Sequence, residues 1–350
     1  MDNIRNVCAD ESISIADGMK QLDQNGERVL FILKDKKLVG AVTDGDFRRW
    51  ILKNGDFSAS ITEIMNRSPK YVREDEREKA AELLSRFRIE AVAVVNEKLE
   101  IVDVIFLRGV LGEEQPHYDT IDLPVVIMAG GRGTRLYPYT QVLPKPLIPI
   151  GSTTILERII DSFKKNGCND FFLILNYKKN LIKAYFDEQD MDYNIHYVEE
   201  RDYYGTCGSL SMLRGKFSTP FFISNCDVLL DIDYAKLYRF HLSNKNEITA
   251  VTSLKNIQIP YGVFELEEGQ VKKIVEKPEL NYNINTGIYI MEPGVLADIP
   301  VEHVFQMTDL IEKLLHEGRK VGAYPVMDRR WRDMGQLPEM RQMIDEYESE

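Results

Sequence analysis

Residues 123–140 read LPVVIMAGGRGTRLYPYT, and they constrain the fold more than any other stretch of this chain. The continuous apolar run is typical of a strand in a parallel sheet, because such strands are buried on both faces. Three glycines and the side chains of Arg132 and Arg135 follow at once. Glycines bring a backbone close to a ligand and point its N–H groups at it, which suits phosphate oxygens. The stretch therefore predicts an anion site directly after a buried strand.

The chain beyond this loop alternates apolar strands with amphipathic helices. A capped helix over TTILERIIDSFKKNG, ending at Gly167, precedes the strand DFFLILNY, and the pattern continues through NIHYVEE, TPFFISNCD and EITAVTSL. Strands and helices that alternate in this way form a doubly wound sheet, whose ligands bind at the carboxyl ends of the strands. The Gly-rich loop lies at that end of its strand.

Two common Gly-rich nucleotide loops are excluded. A dinucleotide-binding fingerprint requires a third glycine where Leu136 stands, and no capped helix follows directly. A P-loop requires lysine followed by serine or threonine inside the loop. The lysine of this chain comes later, as Lys145 in LPKPL.

Length, charge and cysteine usage narrow the class of protein. A chain of 350 residues suggests two domains at roughly 100–200 residues each. The net charge of -12 argues against nucleic acid as a partner, since no basic stripe offsets it. No apolar stretch approaches the roughly 18 residues of a membrane helix, and the first residues lack the apolar core of a signal peptide. We expect a cytoplasmic protein, with its four scattered cysteines reduced, that binds neither nucleic acid nor membranes.

An internal repeat occupies the first third of the chain. Within the segment 29–52, residues 29–48 can be laid without gaps on residues 92–111, at an offset of 63 residues (92 minus 29). Each copy is preceded by a helix and contains an apolar strand, a charged turn, a second strand and another short helix. One copy cannot cover its own sheet, so we predict that the two copies pack together in an α+β unit.

The stretch GAVTDGDFRR in the first copy contains Gly40, Thr43, Asp46 and Arg49, and through them it resembles the nucleotide-binding stretch of CBS-domain pairs. The resemblance implies that Thr43 and Asp46 hold the ribose of an adenine nucleotide and that the unit is regulatory. From the residues alone, Asp44 and Asp46 fit caps of the following helix equally well, a position that aspartate favours. Both interpretations stay open at this point.

The second copy departs from that pattern. Asp103, Phe106 and Gly109 stand where the first copy has its glycine, threonine and aspartate, so at most one nucleotide site survives. Periodicity is then lost, and glycine, proline and acidic residues accumulate over residues 112–123, which predicts a linker. We expect a CBS pair over residues 1–118 and a second domain over residues 119–350.

The pattern GGRGTRLYPYT, followed by PKPL, extends from Gly130 to Leu147. It resembles the signature of the sugar-1-phosphate nucleotidyltransferases, with Tyr139 where leucine is common. Further landmarks of that family follow in order within residues 124–350: GTCGSL, SNCD, YGVFEL, VEKP, NTGIYI and RWRDMG. The resemblance implies a Rossmann-like, doubly wound mixed sheet of the GT-A type. It also implies an enzyme that joins a nucleoside triphosphate to a sugar 1-phosphate and releases pyrophosphate.

Such a reaction brings two anions together, so the site needs fixed positive charge rather than a general base. The resemblance assigns that charge to Arg135 and Lys145 at the triphosphate and to Lys277 at the sugar phosphate. It assigns Mg2+ to Asp227 and Asp333, in keeping with the preference of magnesium for one or two carboxylates plus phosphate oxygens. Taken singly, each of these residues also fits a surface ion pair or a turn.

Substrate-binding residues are implied along the same landmarks, where glycines allow close approach and polar groups meet sugar hydroxyls. They are Gly130, Gly131, Gly133, Thr134, Gly205, Gly208, Gly262, Glu276, Asn285, Thr286 and Gly287. Glu276 and Lys277 also fit a solvated charge pair. Glu199 or Glu200 fits an acceptor for a base edge, although an acidic pair at a strand end is more often solvated.

Residue chemistry alone does not identify the base or the sugar. Chains with this organisation resemble guanylyltransferases for mannose 1-phosphate, or for glucosamine 1-phosphate in a nonulosonic acid pathway, so GTP and a role in surface glycan or nonulosonic acid synthesis are favoured. Two alternatives are a silent subunit that senses nucleotides and a cytidylyltransferase for phosphocholine, whose cation would meet the aromatic ERDYYG. CBS units often pair through their helices, so we expect a homo-oligomer.

Overall fold

The computed structural model describes residue 4 and residues 6–87, 89–107 and 119–348. The chain divides into two compact units, residues 1–117 and 118–350. Gly109 of the second repeat copy and residues 112–118 of the predicted linker lie outside the described residues. Each unit has a hydrophobic core of its own.

The first unit contains two three-stranded sheets of the same topology. In each sheet the first strand pairs in parallel with the second, which forms an antiparallel hairpin with the third. The elements are β1 (Cys8–Asp10), α1 (Ile15–Asn25), β2 (Val29–Lys34), β3 (Lys37–Thr43), α2 (Asp44–Leu52), β4 (Tyr71–Arg73), α3 (Ala80–Phe87), β5 (Ala91–Val95) and β6 (Ile101–Phe106). The two hairpins share one apolar core, and Lys37 bridges to Glu100, the residue one repeat offset away.

The second unit is built on one seven-stranded sheet with two small two-stranded sheets and a hairpin. Its strands are β7 (Val125–Met128), β8 (Pro149–Ile150), β9 (Thr153–Thr154), β10 (Asp170–Leu175), β11 (Asn194–Glu199), β12 (Phe221–Asn225), β13 (Val228–Leu230), β14 (Ile248–Gln258), β15 (Gly262–Glu267), β16 (Gln270–Glu276), β17 (Glu279–Met291), β18 (Val321–Met327) and β19 (Trp331–Asp333). Its helices are α4 (Tyr139–Val142), α5 (Ile155–Lys164), α6 (Lys179–Asp187), α7 (Tyr234–Asn244), α8 (Met307–His316) and α9 (Leu337–Glu348).

The seven strands lie in the order β11, β10, β7, β12, β17, β14, β18. Only β17 runs antiparallel to its neighbours. The remaining pairs are parallel, so the predicted α/β class with a mixed sheet is confirmed. Among the helices that the structure describes, none combines the length and the apolar character needed to cross a bilayer.

Strands β7, β10 and β12 end in register, because Met128 pairs with Ile174 on one side and with Asn225 on the other. Their carboxyl ends therefore meet at one edge of the sheet. The loops that begin at this edge include the Gly-rich loop after β7 and the SNCD stretch at the end of β12.

Helix α5 follows local signals closely. Thr154 Oγ1 accepts a hydrogen bond from Glu157 N at 3.2 Å, and Glu157 Oε2 accepts one from Thr154 N at 2.6 Å, which completes a capping box. Phe163 near its end is fully buried in the core of the second unit. Gly167 has φ of 81°, and a Cβ there would lie 2.4 Å from Thr120 Cγ2, so this turn requires glycine.

Strands β14 and β17 continue as a two-stranded ribbon beyond the sheet. β18 pairs with β14 only as far as Leu254, whereas β17 pairs with β14 to its end. The β15–β16 hairpin extends the ribbon through bonds from Ile259 N to Pro278 O at 3.0 Å and from Lys277 N to Tyr261 O at 3.2 Å. Of the predicted sugar-side residues, Gly262, Glu276 and Lys277 lie on this ribbon, whereas Asn285, Thr286 and Gly287 lie in the part of β17 that belongs to the seven-stranded sheet.

Candidate active site

A cleft of about 840 Å3 opens at the carboxyl edge of the sheet, a volume that suits a nucleotide-sized ligand. The loops after β7, β10, β11 and β12 form its walls, together with the turn after β19. Eight of the residues predicted from the sequence line it: Gly130, Gly131, Gly133, Thr134, Arg135, Lys145, Gly205 and Asp227.

The Gly-rich loop leaves its backbone open to this cleft. Gly133 has a left-handed φ of 63°, and a Cβ there would lie 3.0 Å from Thr140 Cγ2 and 3.3 Å from Lys145 Cβ. Thr140 Oγ1 donates to the Gly133 carbonyl at 2.8 Å and fixes the turn. A Cβ at Gly131 would meet nothing within 4 Å, so the backbone of Gly131 is accessible to a ligand.

Three arginine side chains bring positive charge to the cleft. Arg132, Arg135 and Arg201 all line it. None of the three forms an ion pair with any residue that the structure describes. Unpaired guanidinium groups in a concave site attract phosphate, which they bind through forked pairs of hydrogen bonds.

Asp227 and Asp333 lie side by side although they are distant in sequence. Antiparallel pairing of β13 with β19 puts Val228 opposite Asp333, and Met334 N donates to Asp227 O at 2.8 Å. Burial, reinforced by the neighbouring Asp227, raises the pKa of Asp333 to about 6. Two adjacent carboxylates, one of which resists ionisation, are a donor set that a cation would stabilise.

The donor set fits magnesium better than metals that need several protein ligands. Across the described ranges, no group of three or more His, Cys, Asp or Glu residues could hold a metal ion. Magnesium is commonly bound by one or two carboxylates, with substrate phosphates and water as its other ligands. Asp227 and Asp333 would therefore hold the ion only together with a bound phosphate.

Lys145 joins the loop to these carboxylates. It starts a turn of 3-10 helix, Lys145–Leu147, with a proline on each side of it in the sequence. Its ammonium contacts Asp227 Oδ2, and its side chain is only 12% exposed. The charge of Lys145 is therefore held at the junction between the Gly-rich loop and the carboxylate pair.

Glu200 is a buried carboxylate beside the Gly-rich loop, since a Cβ at Gly130 would lie 2.7 Å from its Oε2. It is 5% exposed, accepts a hydrogen bond from Ser209 Oγ and another from Asn176 Nδ2 at 3.4 Å, and has no cationic partner among the described residues. Burial raises its pKa to about 7. Sequence reasoning treated Glu199 and Glu200 alike, because only the tertiary structure shows which of them faces the cleft.

Glu199, by contrast, forms ion pairs with two lysines. Lys179 Nζ lies 2.6 Å from Glu199 Oε2, and the Lys183 ammonium contacts its other oxygen. The hydrogen bonds from these lysines lower the pKa of Glu199 to about 2. Glu199 is thus a surface ion-pair residue at the edge strand, whereas Glu200 is available to a ligand in the cleft.

Comparisons with known proteins agree with this geometry. The nucleotidyl transferase family model matches residues 124–350, and a CBS domain model matches residues 3–53. The chain belongs to the nucleotidyl transferase family.

Relatives of this nucleotidyl transferase include two curated enzymes and a solved structure. This chain is 31% identical to the mannose-1-phosphate guanylyltransferase catalytic subunit beta of Xenopus tropicalis over 61% of each chain. It is 35% identical to the mannose-1-phosphate guanyltransferase of Yarrowia lipolytica over 49% of this chain and 50% of that one. HddC from Yersinia pseudotuberculosis matches with a TM-score of 0.51 at 23% identity, over 64% of this chain and 99% of that chain. The match thus spans about 61% of the length of the first of these relatives.

The predicted sugar-side residues do not line the cleft of this nucleotidyl transferase. Gly262, Glu276 and Lys277 lie at the base of the β15–β16 hairpin. Asn285 Nδ2 donates to Tyr289 Oη at 2.5 Å, and the hydroxyl of the buried Thr286 donates to a backbone carbonyl at 2.8 Å. Both side chains are therefore engaged in hydrogen bonds within the protein.

Two predicted glycines have neighbours that explain them structurally. A Cβ at Gly208 would lie 2.3 Å from the carbonyl oxygen of His303, so glycine is needed for packing there. A Cβ at Gly287, where φ is 83°, would lie 2.3 Å from Asn225 Nδ2, and Asn225 itself lines the cleft. Gly287 therefore sits directly behind the cleft wall.

In the first unit, Asp46 caps helix α2. Its Oδ2 accepts from Thr43 N at 2.9 Å and from Thr43 Oγ1 at 2.6 Å, and Arg49 contacts Oδ1. The structure thus shows the capping role for Asp46, with Thr43 as the N-cap, whereas Asp44 pairs with Arg48. Nucleotide binding by Thr43 and Asp46 stays a prediction, because it would require both side chains to exchange these partners for ribose hydroxyls.

Proposed function

We propose that this protein is a sugar-1-phosphate nucleotidyltransferase that uses GTP. The observation that carries the proposal is the convergence, in one cleft, of a Gly-rich backbone, three arginines free of ion pairs with the described residues, Lys145 and Asp227, with Asp333 beside Asp227. The domain limits that we propose are a CBS pair over residues 1–118 and a catalytic domain over residues 119–350. We also propose a cytoplasmic location.

The proposed reaction joins two anions, and each group in the cleft has a part in bringing them together. Arg135 and Arg132 would hold the triphosphate against the open backbone of Gly131. Lys145 would stabilise the charge that develops on the α-phosphoryl group. A magnesium ion held by Asp227 and Asp333 would supply further charge neutralisation. Lys277 and Glu276 lie outside this cleft, at the base of the β15–β16 hairpin, and the family resemblance proposes them for the sugar phosphate and a sugar hydroxyl.

Glu200 supports guanine as the base. Guanine is the nucleobase that presents two adjacent donors, N1–H and N2–H, on its pairing edge, and a carboxylate can accept from both. Adenine and cytosine place an acceptor beside their amino group, and uracil has one donor between two acceptors. The relatives named as guanylyltransferases agree with this choice. Mannose 1-phosphate or glucosamine 1-phosphate is the proposed sugar, for surface glycan or nonulosonic acid precursors.

Pyrophosphate release tests the proposal. The full chain is mixed with Mg2+, with ATP, CTP, GTP or UTP in turn, and with a panel of sugar 1-phosphates. We expect release only with GTP and one sugar 1-phosphate, and none when Mg2+ is removed. Silence across the panel would favour a nucleotide-sensing subunit without turnover, and release with CTP and phosphocholine would favour the cytidylyltransferase alternative.

Gly130→Ala is expected to raise the KM for GTP about tenfold with little change in kcat. A Cβ at Gly130 would lie 2.7 Å from Glu200 Oε2 and 3.3 Å from Asn176 Cβ, so the carboxylate that binds the base must move. Gly294→Ala is the matched control, since a Cβ there meets nothing within 4 Å. Steady-state kinetics of pyrophosphate release measures both variants, and an unchanged KM in Gly130→Ala would argue against base binding at Glu200.

The CBS unit is proposed to bind one adenine nucleotide per chain. Equilibrium dialysis of the full chain with labelled AMP, ADP and ATP is expected to give one site, weakened at least tenfold by Asp46→Ala. Asp44→Ala is the control, because its carboxylate pairs with Arg48 and is not part of the ribose pattern. Absence of any bound adenine nucleotide would contradict the regulatory role.

A further inference from the structure

Helix α9 folds back onto the strand that carries Asp333. The short turn that joins β19 to α9 lines the cleft through Gly335. Near the end of the helix, Glu346 Oε2 lies 2.9 Å from Arg332 Nε, and the hydroxyl of Tyr347 accepts a hydrogen bond from Arg332 Nη1 at 3.2 Å. Arg332 is the residue before Asp333. The helix is therefore bonded to the strand directly beside the proposed metal ligand.

Tyr347 also contacts the elements that follow Lys145 in the chain. The guanidinium carbon of Arg158, on α5, lies 3.9 Å from the centre of the Tyr347 ring, and Arg158 Nε donates to the carbonyl of Ile150, on β8, at 2.7 Å. Gly151 allows the helix end to come close, because its φ is 66° and a Cβ there would lie 3.2 Å from Tyr347 O. Tyr347 thus joins β19 to α5 and β8.

The strand pairing that holds β19 is short. Among the residues that the structure describes, β19 pairs with β13 alone, over three residues, and a two-stranded sheet is marginally stable in water. The pairing sets Asp333 beside Asp227, and two ionised carboxylates at close range repel each other. This repulsion acts to separate the two strands when no cation lies between them. Contacts from outside the sheet are therefore needed to keep β19 in place.

Arg332 receives such contacts on the appropriate face of the strand. Neighbouring residues on a strand point to opposite faces, so a bond to Arg332 holds β19 from the face opposite to Asp333. The side chains of Arg332 and Glu346 are 37% and 38% exposed, and an ion pair with that exposure contributes little by itself. Tyr347 is half-buried against the core of the second unit, so its contacts are better shielded from water.

We propose that Tyr347 is a positioning residue for the metal site, which holds β19 so that Asp333 stays within reach of an ion bound by Asp227. The inference rests on the function proposed above. Tyr347 is outside the cleft and acts through Arg332, the neighbour of the ligand. Residues that support a metal ligand without touching the metal commonly change metal affinity by about 10- to 100-fold when they are replaced.

Calorimetric titration of the full chain with GTP, in excess Mg2+ and again in EDTA, tests the inference without turnover. The ratio of the dissociation constant in EDTA to that in Mg2+ measures how much the ion contributes to binding. Tyr347→Ala is expected to lower this ratio about tenfold, with the dissociation constant in EDTA unchanged. Tyr347→Phe keeps the ring beside Arg158 but loses the bond to Arg332, so a fall of about threefold is expected.

Tyr193→Ala is the matched control. Tyr193 is half-buried against the same core, and its ring centre lies 4.8 Å from the Lys164 ammonium, so the variant removes a similar contact between an aromatic ring and a cation. Both alanine variants are expected to melt at a lower temperature than wild type, but only Tyr347→Ala should change the ratio. If Tyr347→Ala does not fold, the result for Tyr347→Phe decides.

A double substitution shows whether Tyr347 acts through Asp333. In an Asp333→Asn background, replacing Tyr347 should not change the ratio further, because the ligand that it positions is already absent. An unchanged ratio in the single Tyr347 variants, or an equal fall in the Asp333→Asn background, overturns the inference and leaves the proposed function standing. A wild type whose binding of GTP does not respond to Mg2+ contradicts the proposed metal site, and the role of Tyr347 with it.

Discussion

Asp333→Asn is expected to reduce turnover at least about 1,000-fold while making the ligand-free protein more stable above pH 6. Turnover falls because one of two carboxylates proposed to hold the metal is lost. Stability rises because the pKa of Asp333 is raised from its ordinary value of 3.8 to about 6 in the fold, so the folded state favours the protonated acid. Ionisation of Asp333 therefore destabilises the fold progressively between about pH 4 and 6. Asparagine removes this penalty. Because solvent screens the partly exposed carboxylate, we expect the gain in the free energy of unfolding to be on the order of 1–3 kcal/mol at pH 8, and we expect no gain at pH 4.

The variant Asp227→Asn distinguishes the effect on turnover from the effect on stability. It should lose turnover to the same extent but lower the stability, because it leaves the mostly buried ammonium of Lys145 without its carboxylate partner. Asp202→Asn is the matched control, since Asp202 also lines the cleft but is exposed and takes no part in the pair. Pyrophosphate release and thermal melts at pH 4.5 and 8 measure all three variants. An Asp333→Asn enzyme within tenfold of wild-type turnover would contradict the proposed metal site.

Glu200→Gln is expected to lower kcat/KM for GTP about 100- to 1,000-fold and to remove the discrimination between GTP and ITP. Inosine lacks the N2 amino group, so a site that binds guanine through both donors should discriminate against ITP. A glutamine presents an N–H toward one of these donors and cannot accept from both.

The same residue predicts a pH dependence of binding. Burial holds the pKa of Glu200 near 7, so the ionised form that accepts from guanine becomes populated as pH rises through this value. The affinity of wild type for GTP should therefore increase between pH 6 and 8, whereas that of Glu200→Gln should stay flat. Without nucleotide, the variant should melt at a higher temperature than wild type at pH 8 and at the same temperature at pH 4, since the raised pKa destabilises only the ionised form.

Glu199→Gln is the control for both measurements. It removes a carboxylate from the adjacent position, but one that is exposed and paired with Lys179 and Lys183. Calorimetric titration with GTP and ITP at several pH values should give wild-type behaviour in this variant. If Glu200→Gln still prefers GTP to ITP, the assignment of Glu200 to guanine is wrong. The proposed phosphate-binding role of the cleft would not be affected by that result.

Local sequence determined the strand, the loop and the helix nearest to the Gly-rich part of the cleft. The apolar run of β7 and the glycines after it specify a strand and an open loop, because burial and backbone freedom act over a few neighbouring residues. Helix α5 begins directly after its cap, Thr154, for an equally local reason, and the left-handed φ of Gly167 lets the chain turn after the helix. The resemblance of residues 130–147 to a family signature implied site residues from Gly130 to Lys145, and these line one wall of the cleft.

Tertiary structure decided what depends on residues distant in the chain. Asp333 becomes a partner of Asp227 only because β19 pairs with β13, and strand pairing across about a hundred residues leaves no periodic trace in the sequence. Glu200 differs from Glu199 only because the residue after β11 is buried in the cleft wall, whereas the last residue of β11 is paired with two surface lysines. The reversed strand β17 and the exposed hairpin that precedes it were likewise not specified by local pattern, since the direction of a strand is set by the neighbours it pairs with rather than by its own residues.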